Sequence, residues 1–503
     1  VGSSILILGT TSGAGKSTVV TGICRWLHRQ GISVAPFKAQ NMSLNSYVTV
    51  DHGEMGRAQV VQAQACGVEP EVVMNPILLK PGTETTSQLI VLGRPVGNLD
   101  AARGWHRKQE LLEVVLEAHR DLRRRFDVVI CEGAGSPAEI NLRSSDIVNL
   151  GFARAAGVPA LLVGDIDRGG VFASLVGTMA VLDDEDQDLV RGFIINKFRG
   201  SKELLVDGLR QLTALTGRTT LGILPMLRGL EIDAEDATDF TSWTDVDPPR
   251  GDDLLTVGVV VFPRASNLTD IDPLIDEPGV VLRAIYRPEQ MHDCDLVILP
   301  GTRATVNDLG WLRARGFENA LRQRAAQGRP IFGICGGYQM LGTTIHDDVE
   351  SASGEVTGCG LLPVRTVFQS EKVVTQTHLT MPDGITVKGY QIHHGEVAVE
   401  GGRELLPGEG CVEGSVAGST WHGLLENDLW RRRFLNEVAA STGRRFIAAD
   451  STNFAQRREG RIDALANLIE EHLDTASLRA LLDESERAVL SHVTLGLQSG
   501  HNE

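Results

Sequence analysis

The chain has 503 residues, 42% of them hydrophobic and 55 of them glycine, enough for two or more domains with real cores and the tight turns of an α/β protein. Its formal net charge of −17 argues against nucleic acid or an anionic membrane as the main partner. Seven scattered cysteines do not resemble a disulfide framework, no apolar run approaches a membrane span, and the first residues read as a strand rather than a signal peptide, so the expected setting is soluble, reducing and cytoplasmic.

Ser4–Leu8 reads as a buried strand. It runs into Gly9-Thr-Thr-Ser-Gly-Ala-Gly-Lys-Ser-Thr18 and then a helix, the context of a phosphate-binding loop. The backbone from Gly13 and Gly15 to Thr18 would cradle the phosphates of ATP, Lys16 would reach the terminal ones, and the Ser17 hydroxyl would bind Mg²⁺. Gly9 lies one residue earlier than the usual spacing, so the loop is longer by one. The next strand, Ser33–Phe37, ends in Lys38, a candidate second phosphate contact. The polar run Ala39-Gln-Asn-Met-Ser-Leu-Asn-Ser46 behind it falls where open parallel sheets bind ligands. Asp51, a candidate metal ligand, and Glu54 follow, then an amide-rich helical run, Arg57–Ala65. Met74–Pro81 is proline-punctuated and reads as a structured loop, and helical periodicity returns over Gln109–Arg125.

Phe126–Cys131 is a buried strand ending in Glu132-Gly-Ala-Gly-Ser-Pro-Ala-Glu-Ile-Asn141. This sets Glu132 across from the phosphate loop, where a carboxylate completes a Mg²⁺ shell; a cap on the next helix is the structural alternative. Strands follow over Ala160–Gly164, Val190–Asn196 and Thr220–Leu224. The second ends in Asn196-Lys-Phe-Arg-Gly200, which resembles the base-recognition loop of nucleotide-binding proteins, with Asn196 bonding adenine. Asp233–Asp253 is acidic, contains Pro248-Pro249 and lacks an apolar period. It is taken as a linker between residues 1–232 and 254–503.

The second half opens with strand Leu255–Val261. Leu296–Gly301 is another, with Thr302 behind it as an oxyanion donor, and a helix over Trp311–Gln327 leads into Pro330–Ile334. There Cys335 sits at a sharp strand-to-helix turn, followed by Gly336 and Gly337. A nucleophile at such a turn needs small neighbours, and the helix N-terminus behind it supplies N–H donors for an oxyanion. Among 13 histidines, His422 is the best base, because it ends a short apolar run and precedes a glycine. His393, His394 and Glu396 lie on an extended segment, where pocket lining or hydrogen bonding fits better than a metal site. From Asn427 the chain is mainly helical and is expected to close this domain, with Gln498–Glu503 fraying.

Gly333-Ile-Cys-Gly-Gly-Tyr-Gln339 with the distant His422-Gly resembles the glutaminase domain of triad-type glutamine amidotransferases, whose cysteine attacks the glutamine side-chain amide and releases ammonia. The carboxylate such domains carry two residues after the histidine is absent, since position 424 is Leu. Either Glu426 orients the imidazole or the site is a Cys–His dyad, and the dyad is favoured. The phosphate loop, Lys38-Ala-Gln-Asn-Met-Ser43, Met74-Asn-Pro76, Leu79-Lys-Pro81, Glu132–Asn141 and Asp165-Ile-Asp-Arg-Gly169 together resemble glutamine-hydrolysing cobyric acid synthases over nearly the whole chain. That resemblance implies two doubly wound α/β domains with mostly parallel sheets, the first dethiobiotin-synthetase-like, which accounts for the longer loop and supports Glu132 as a Mg²⁺ ligand. It implies ATP-dependent amidation of the b, d, e and g carboxylates of adenosylcobyrinic a,c-diamide, a corrinoid, with glutamine as the nitrogen donor. Family members often have Glu where this chain has Gln391. The alternatives are the sister cobyrinic acid a,c-diamide synthase and a non-catalytic nucleotide-binding regulator.

Overall fold

The computed structural model describes residues 1–82, 86–100, 107–227, 247–451, 453–483 and 490–494. Most of the expected linker, and the expected frayed end, lie outside the described residues. Two six-stranded sheets organise the rest, giving the doubly wound α/β architecture expected.

In the first sheet all strands are parallel, in the order Thr219–Pro225, Val190–Phe198, Ala160–Asp165, Ser3–Gly9, Val128–Glu132, Val34–Phe37. Ser3–Gly9 is apolar on both faces because both are covered. Leu6 and Leu8 face a core shared with Val115, Leu122 and Phe152, whereas Ile5 and Ile7 face one shared with Val19, Ile23 and Ile469. Its neighbour is in register Ile7 to Glu132. The phosphate loop and Glu132 therefore leave the sheet side by side at its carboxyl edge.

The second sheet has the order Val280–Ile285, Leu255–Val260, Leu296–Leu299, Ile331–Ile334, Val416–Ser419, Cys411–Glu413, parallel except for the last strand. Ile331–Ile334 lies between Leu296–Leu299 and Val416–Ser419. Three adjacent strand ends thus deliver Thr302, Cys335 and His422 to one edge.

Three local expectations differ from the structure. The helix expected over Trp311–Gln327 is two, Thr305–Ala314 and Phe317–Ala326, broken at Gly316 with φ 82°, a left-handed conformation that ends a helix. Met74–Pro81 contains the strand Ile77–Pro81, which pairs with Gln40–Met42 and Thr86–Val91. Its prolines stand at the strand's edges, where a missing N–H costs least. The C-terminal helices do not all stay with the second sheet: Asp428–Ser441 does, but Phe454–His472 and Thr475–Asp483 cross back, placing Ile462, Leu465, Ile469 and Leu478 in the core under the first sheet.

That crossing depends on close approach at Gly22, where an added Cβ would lie 2.7 Å from the Ile469 side chain and 2.8 Å from the Leu465 carbonyl oxygen. Gly22→Val should destabilise the protein by about 1–3 kcal/mol through overpacking, read as a lower urea midpoint. An unchanged midpoint would show that the helix does not seat there.

Candidate active site

Cys335 has φ 49° and ψ −110°, a left-handed backbone that costs a non-glycine residue on the order of 1–3 kcal/mol and persists only where its surroundings enforce it. The surroundings are tight. A Cβ on Gly337 would lie 2.1 Å from the Leu299 carbonyl oxygen, one on Gly336 would lie 2.6 Å from Thr302 Cγ2, and one on Gly333 would lie 2.7 Å from Tyr338 N. The glycines allow the helix Gly336–Leu341 to start against the neighbouring strand, so the thiol stands at the sheet edge.

His422 is 1% exposed and lines the same cavity as Cys335 on one side. On the other, its Nδ1 is 2.7 Å from Asp270 Oδ2, and the second oxygen of that carboxylate accepts the Gly423 N–H at 2.7 Å. Burial alone would push the imidazole pKa down; the charges of Asp270 and Cys335 outweigh it and raise it to about 10. The imidazolium is therefore the favoured form of His422 beside Cys335.

This arrangement corrects both expectations for the missing acid. Glu426 is turned away from His422 and accepts from Arg57 Nη2 at 2.7 Å, with Arg458 3.7 Å off. The carboxylate on the imidazole is Asp270, 152 residues upstream, in the short 3₁₀ turn Leu268–Ile271. Local spacing around His422 carries no trace of it. The only signal was positional: Ser266-Asn-Leu-Thr-Asp270 is a polar run beyond the carboxyl end of the strand Leu255–Val260, where such sheets place functional groups.

Thr302 lies beside the nucleophile, its backbone nitrogen 3.2 Å from where a Cβ on Gly336 would be. Its hydroxyl donates to Asp308, whose own pKa burial pushes up to about 6. A cavity of about 40 Å³ is lined by Cys335, His422, Thr302, Gln339, His393 and His394, and also by Lys80 from the first half of the chain. A neighbouring cavity of about 330 Å³ shares His393 and His394. His393 bonds Gln391 at 3.0 Å and His394 bonds the Gln369 carbonyl oxygen at 3.0 Å. Burial lowers the pKa of both, to about 4 for His393. Among the described residues, no group of His, Cys, Asp and Glu could hold a metal ion by itself, and Glu396 accepts from Gln369 at 3.3 Å.

The second cluster surrounds the phosphate loop. The extra residue is absorbed in a 3₁₀ turn, Ser12–Ala14, and Gly15 has φ 94°. A Cβ on Gly15 would lie 2.1 Å from Asn196 Nδ2. Lys16 curls back over the loop, donating to the carbonyl oxygens of Thr11 at 3.1 Å, Ser12 at 3.2 Å and Gly135 at 3.0 Å. Thr18 is half-buried in the first turn of the helix Lys16–Arg29. Glu132 is the node: Ser17 Oγ donates to it at 2.8 Å, Lys38 Nζ at 2.9 Å and Gln62 Nε2 at 2.5 Å. Burial would raise its pKa, but Lys38, Gln62 and Ser17 outweigh that and lower it.

Two expected residues stand differently. Asp51 is not at this cluster; it sits on the exposed turn between Ser46–Val48 and Glu54–Gly56 and is bonded to Thr49. An antiparallel hairpin carries it away from the sheet edge. Asn196 is 5% exposed and donates Nδ2 to the Ala14 carbonyl oxygen at 2.9 Å, so it braces the loop. Sequence reasoning passed over Lys197, which has φ 61° and donates to the Gly13 carbonyl oxygen at 2.6 Å and to Asp165 at 2.9 Å. It also passed over Arg168, whose Nη2 is 3.2 Å from the Cβ position of Gly13.

Comparison with known proteins divides the chain along the same two sites. A CobQ/CobB/MinD/ParA nucleotide binding domain matches residues 5–238, and a CobB/CobQ-like glutamine amidotransferase domain matches residues 256–430. The cobyric acid synthase of Streptomyces coelicolor is 56% identical over 486 residues, covering 95% of this chain and 96% of that protein. That of Streptomyces avermitilis is 55% identical over 499 residues, with 98% and 99% covered. The chain belongs to the cobyric acid synthase family. Frankia casuarinae supplies a further relative at 52% identity over 515 residues. Residue Cys335 and its partners fall in the amidotransferase match, and Lys16, Lys38 and Glu132 in the nucleotide-binding one.

Replacing Asp270 by Asn should keep the Gly423 contact but turn an N–H toward His422 Nδ1, forcing the wrong tautomer. Glutaminase kcat should fall by roughly 10³–10⁴-fold. Because the lost carboxylate holds the imidazole protonated, the alkaline limb of the kcat/KM profile should move to lower pH. Glu426→Gln should leave that limb in place; the reverse pattern would return the orienting role to Glu426.

Proposed function

We propose that this protein makes adenosylcobyric acid by ATP- and glutamine-dependent amidation of the b, d, e and g side-chain carboxylates of adenosylcobyrinic a,c-diamide, a step of cobalamin biosynthesis. The observation that carries the reading is the presence in one chain of a phosphate loop closed by Glu132 and a cysteine site with histidine and carboxylate in line, in a family whose named relatives match nearly end to end. The sister a,c-diamide synthase and a non-catalytic regulator are not favoured by those relatives, and the regulator has no use for an intact Cys335–His422 pair.

Glutamine hydrolysis follows from the geometry. Cys335 gives its proton to His422 and its Sγ attacks the side-chain amide carbon; His422 passes that proton to the departing nitrogen, so ammonia leaves and a thioester forms. His422 then takes a proton from water as the water attacks the thioester, the C–S bond breaks, the proton returns to Cys335 Sγ, and glutamate is released. Asp270 stabilises the imidazolium in both steps. The Gly336 and Thr302 amides are the oxyanion donors, set by the strained turn before any substrate arrives.

The nucleotide-binding half activates the acceptor. A carboxylate oxygen of the corrinoid attacks the γ-phosphorus of ATP, ADP leaves, and ammonia then displaces phosphate from the acyl phosphate to leave an amide. Gly13, Gly15 and Thr18 provide backbone contacts to the phosphates, and Lys16 exchanges its three carbonyl partners for phosphate oxygens. The Ser17 hydroxyl and Glu132 carboxylate are the hard oxygen donors that suit Mg²⁺, which when bound neutralises phosphate charge. Lys38, which bonds Glu132 in the structure, would supply a further positive charge beside the phosphates. Asn196 keeps the loop in shape and meets the base with what its amide has left. We place the division of labour at residues 1–232 and 254–503, in a cytoplasmic protein; no helix among the described residues is long and apolar enough to cross a membrane.

Mass spectrometry of adenosylcobyrinic a,c-diamide incubated with the protein, ATP, Mg²⁺ and glutamine should show stepwise amidation; an unchanged corrinoid would refute the reading. Lys16→Ala should slow amidation by about 10²-fold or more while glutamine hydrolysis persists. Cys335→Ala should abolish glutamine-dependent amidation yet retain it with ammonium at alkaline pH. Loss of both in the folded variant would mean that Cys335 serves more than ammonia release.

A further inference from the structure

The segment Asn45–Arg57 belongs to the nucleotide-binding half, yet its side chains reach the glutaminase site at four places. Asn45 Oδ1 accepts the Leu268 N–H at 3.2 Å, and the Ser46 N–H donates to Asn267 Oδ1 at 2.9 Å. This reciprocal pair pins Asn267, which holds a left-handed φ of 52°, and the Asn267 carbonyl accepts the Asp270 N–H at 3.0 Å. The Tyr47 ring packs 5.0 Å from that of Tyr390, which stacks on the His422 imidazole at 5.4 Å and exchanges two backbone hydrogen bonds with His422. Glu54, fully buried, receives Lys372 Nζ and Lys80 Nζ, each at 2.6 Å, and both lysines line the cavity at Cys335. Arg57 holds Glu426, four residues past His422.

Both ends of the same segment lead to the phosphate loop. Upstream, Lys38 sits on Glu132; downstream, the helix Arg57–Ala65 carries Gln62 to the other oxygen of that carboxylate. A rearrangement at Glu132 is therefore felt at both roots of the segment.

We propose that Asn45–Arg57 is a positioning element for the Cys335–His422–Asp270 site, with Asn45 and Tyr47 setting the Asp270 turn and the His422 ring. This rests on the functional reading above. None of these residues touches glutamine's reacting atoms; they act through Asp270 and His422. A purely structural interface would hold the halves together without governing the ionisation of Cys335 and His422, and that difference is measurable.

The test uses the full-length protein with Asn45→Ala, Tyr47→Leu and Tyr47→Phe. Two readouts are taken: glutaminase kcat and KM, and the pH dependence of Cys335 alkylation by iodoacetamide. Asn45→Ala and Tyr47→Leu should each lower kcat about tenfold, with KM for glutamine held within about twofold, and should shift the alkylation profile. Tyr47→Phe, which keeps the ring, should restore both. Unchanged kcat and profile in the first two variants, or equal loss in Tyr47→Phe, would overturn the proposal. Alkylation needs no substrate, so it decides the proposal even where wild type hydrolyses no glutamine, a result that would instead refute the functional reading.

Discussion

The bond between Asp270 and His422 is the interaction on which the second half of the molecule turns. It joins the loop after one strand to the end of another across the nucleophile, with all parties buried. Both carboxylate oxygens are used, one by the imidazole and one by the Gly423 N–H, which is what makes a buried charge tolerable. Taking one partner away strands the other, at a cost of about 3–5 kcal/mol for a buried pair. The same bond keeps the imidazole charged and turned towards Cys335. The strained turn at Cys335 then needs only its glycines and the adjacent strands to hold the thiol in reach.

The nucleotide site obeys a similar rule. Glu132 gathers a hydroxyl, an ammonium and an amide in a place where a lone carboxylate would be costly, so its environment is fully polar inside an apolar fold. Each of these donors comes from a different element, so Glu132 ties three parts of the chain together beside the loop. The two sites lie at carboxyl edges of separate sheets, and the segment Asn45–Arg57 spans between them. The helices that cross back from the end of the chain to the first sheet add a second tie.

Much of this was legible in the sequence, for reasons that differ by element. Parallel strands buried on both faces are continuous apolar runs, so Ser3–Gly9, Val128–Glu132 and Ile331–Ile334 stand out within a residue or two. The glycines beside Lys16 and Cys335 mark backbone that no other residue can adopt so close to its neighbours. What was not legible is what depends on chain segments meeting at a distance. Asp270 precedes His422 by 152 residues, and its role exists only once two strands lie in one sheet. Asp51 was a candidate metal ligand, and the structure puts it on the exposed turn of a two-stranded hairpin. Asn196 looked like a base contact, and in the structure its Nδ2 also braces the phosphate loop through the Ala14 carbonyl oxygen. Glu426 stood as the alternative to a dyad for its nearness in sequence, and its partner in the structure is Arg57 from the other half.

Glutamine hydrolysed at Cys335 is the proposed source of the nitrogen transferred at the phosphate site. The direct measurement supplies the protein near neutral pH with amide-¹⁵N glutamine, ATP and the corrinoid, together with an excess of unlabelled ammonium. The product amides should carry ¹⁵N at the enrichment of the glutamine, because bulk ammonium near neutral pH is protonated and non-nucleophilic. Amides diluted to the enrichment of the bulk pool would contradict it.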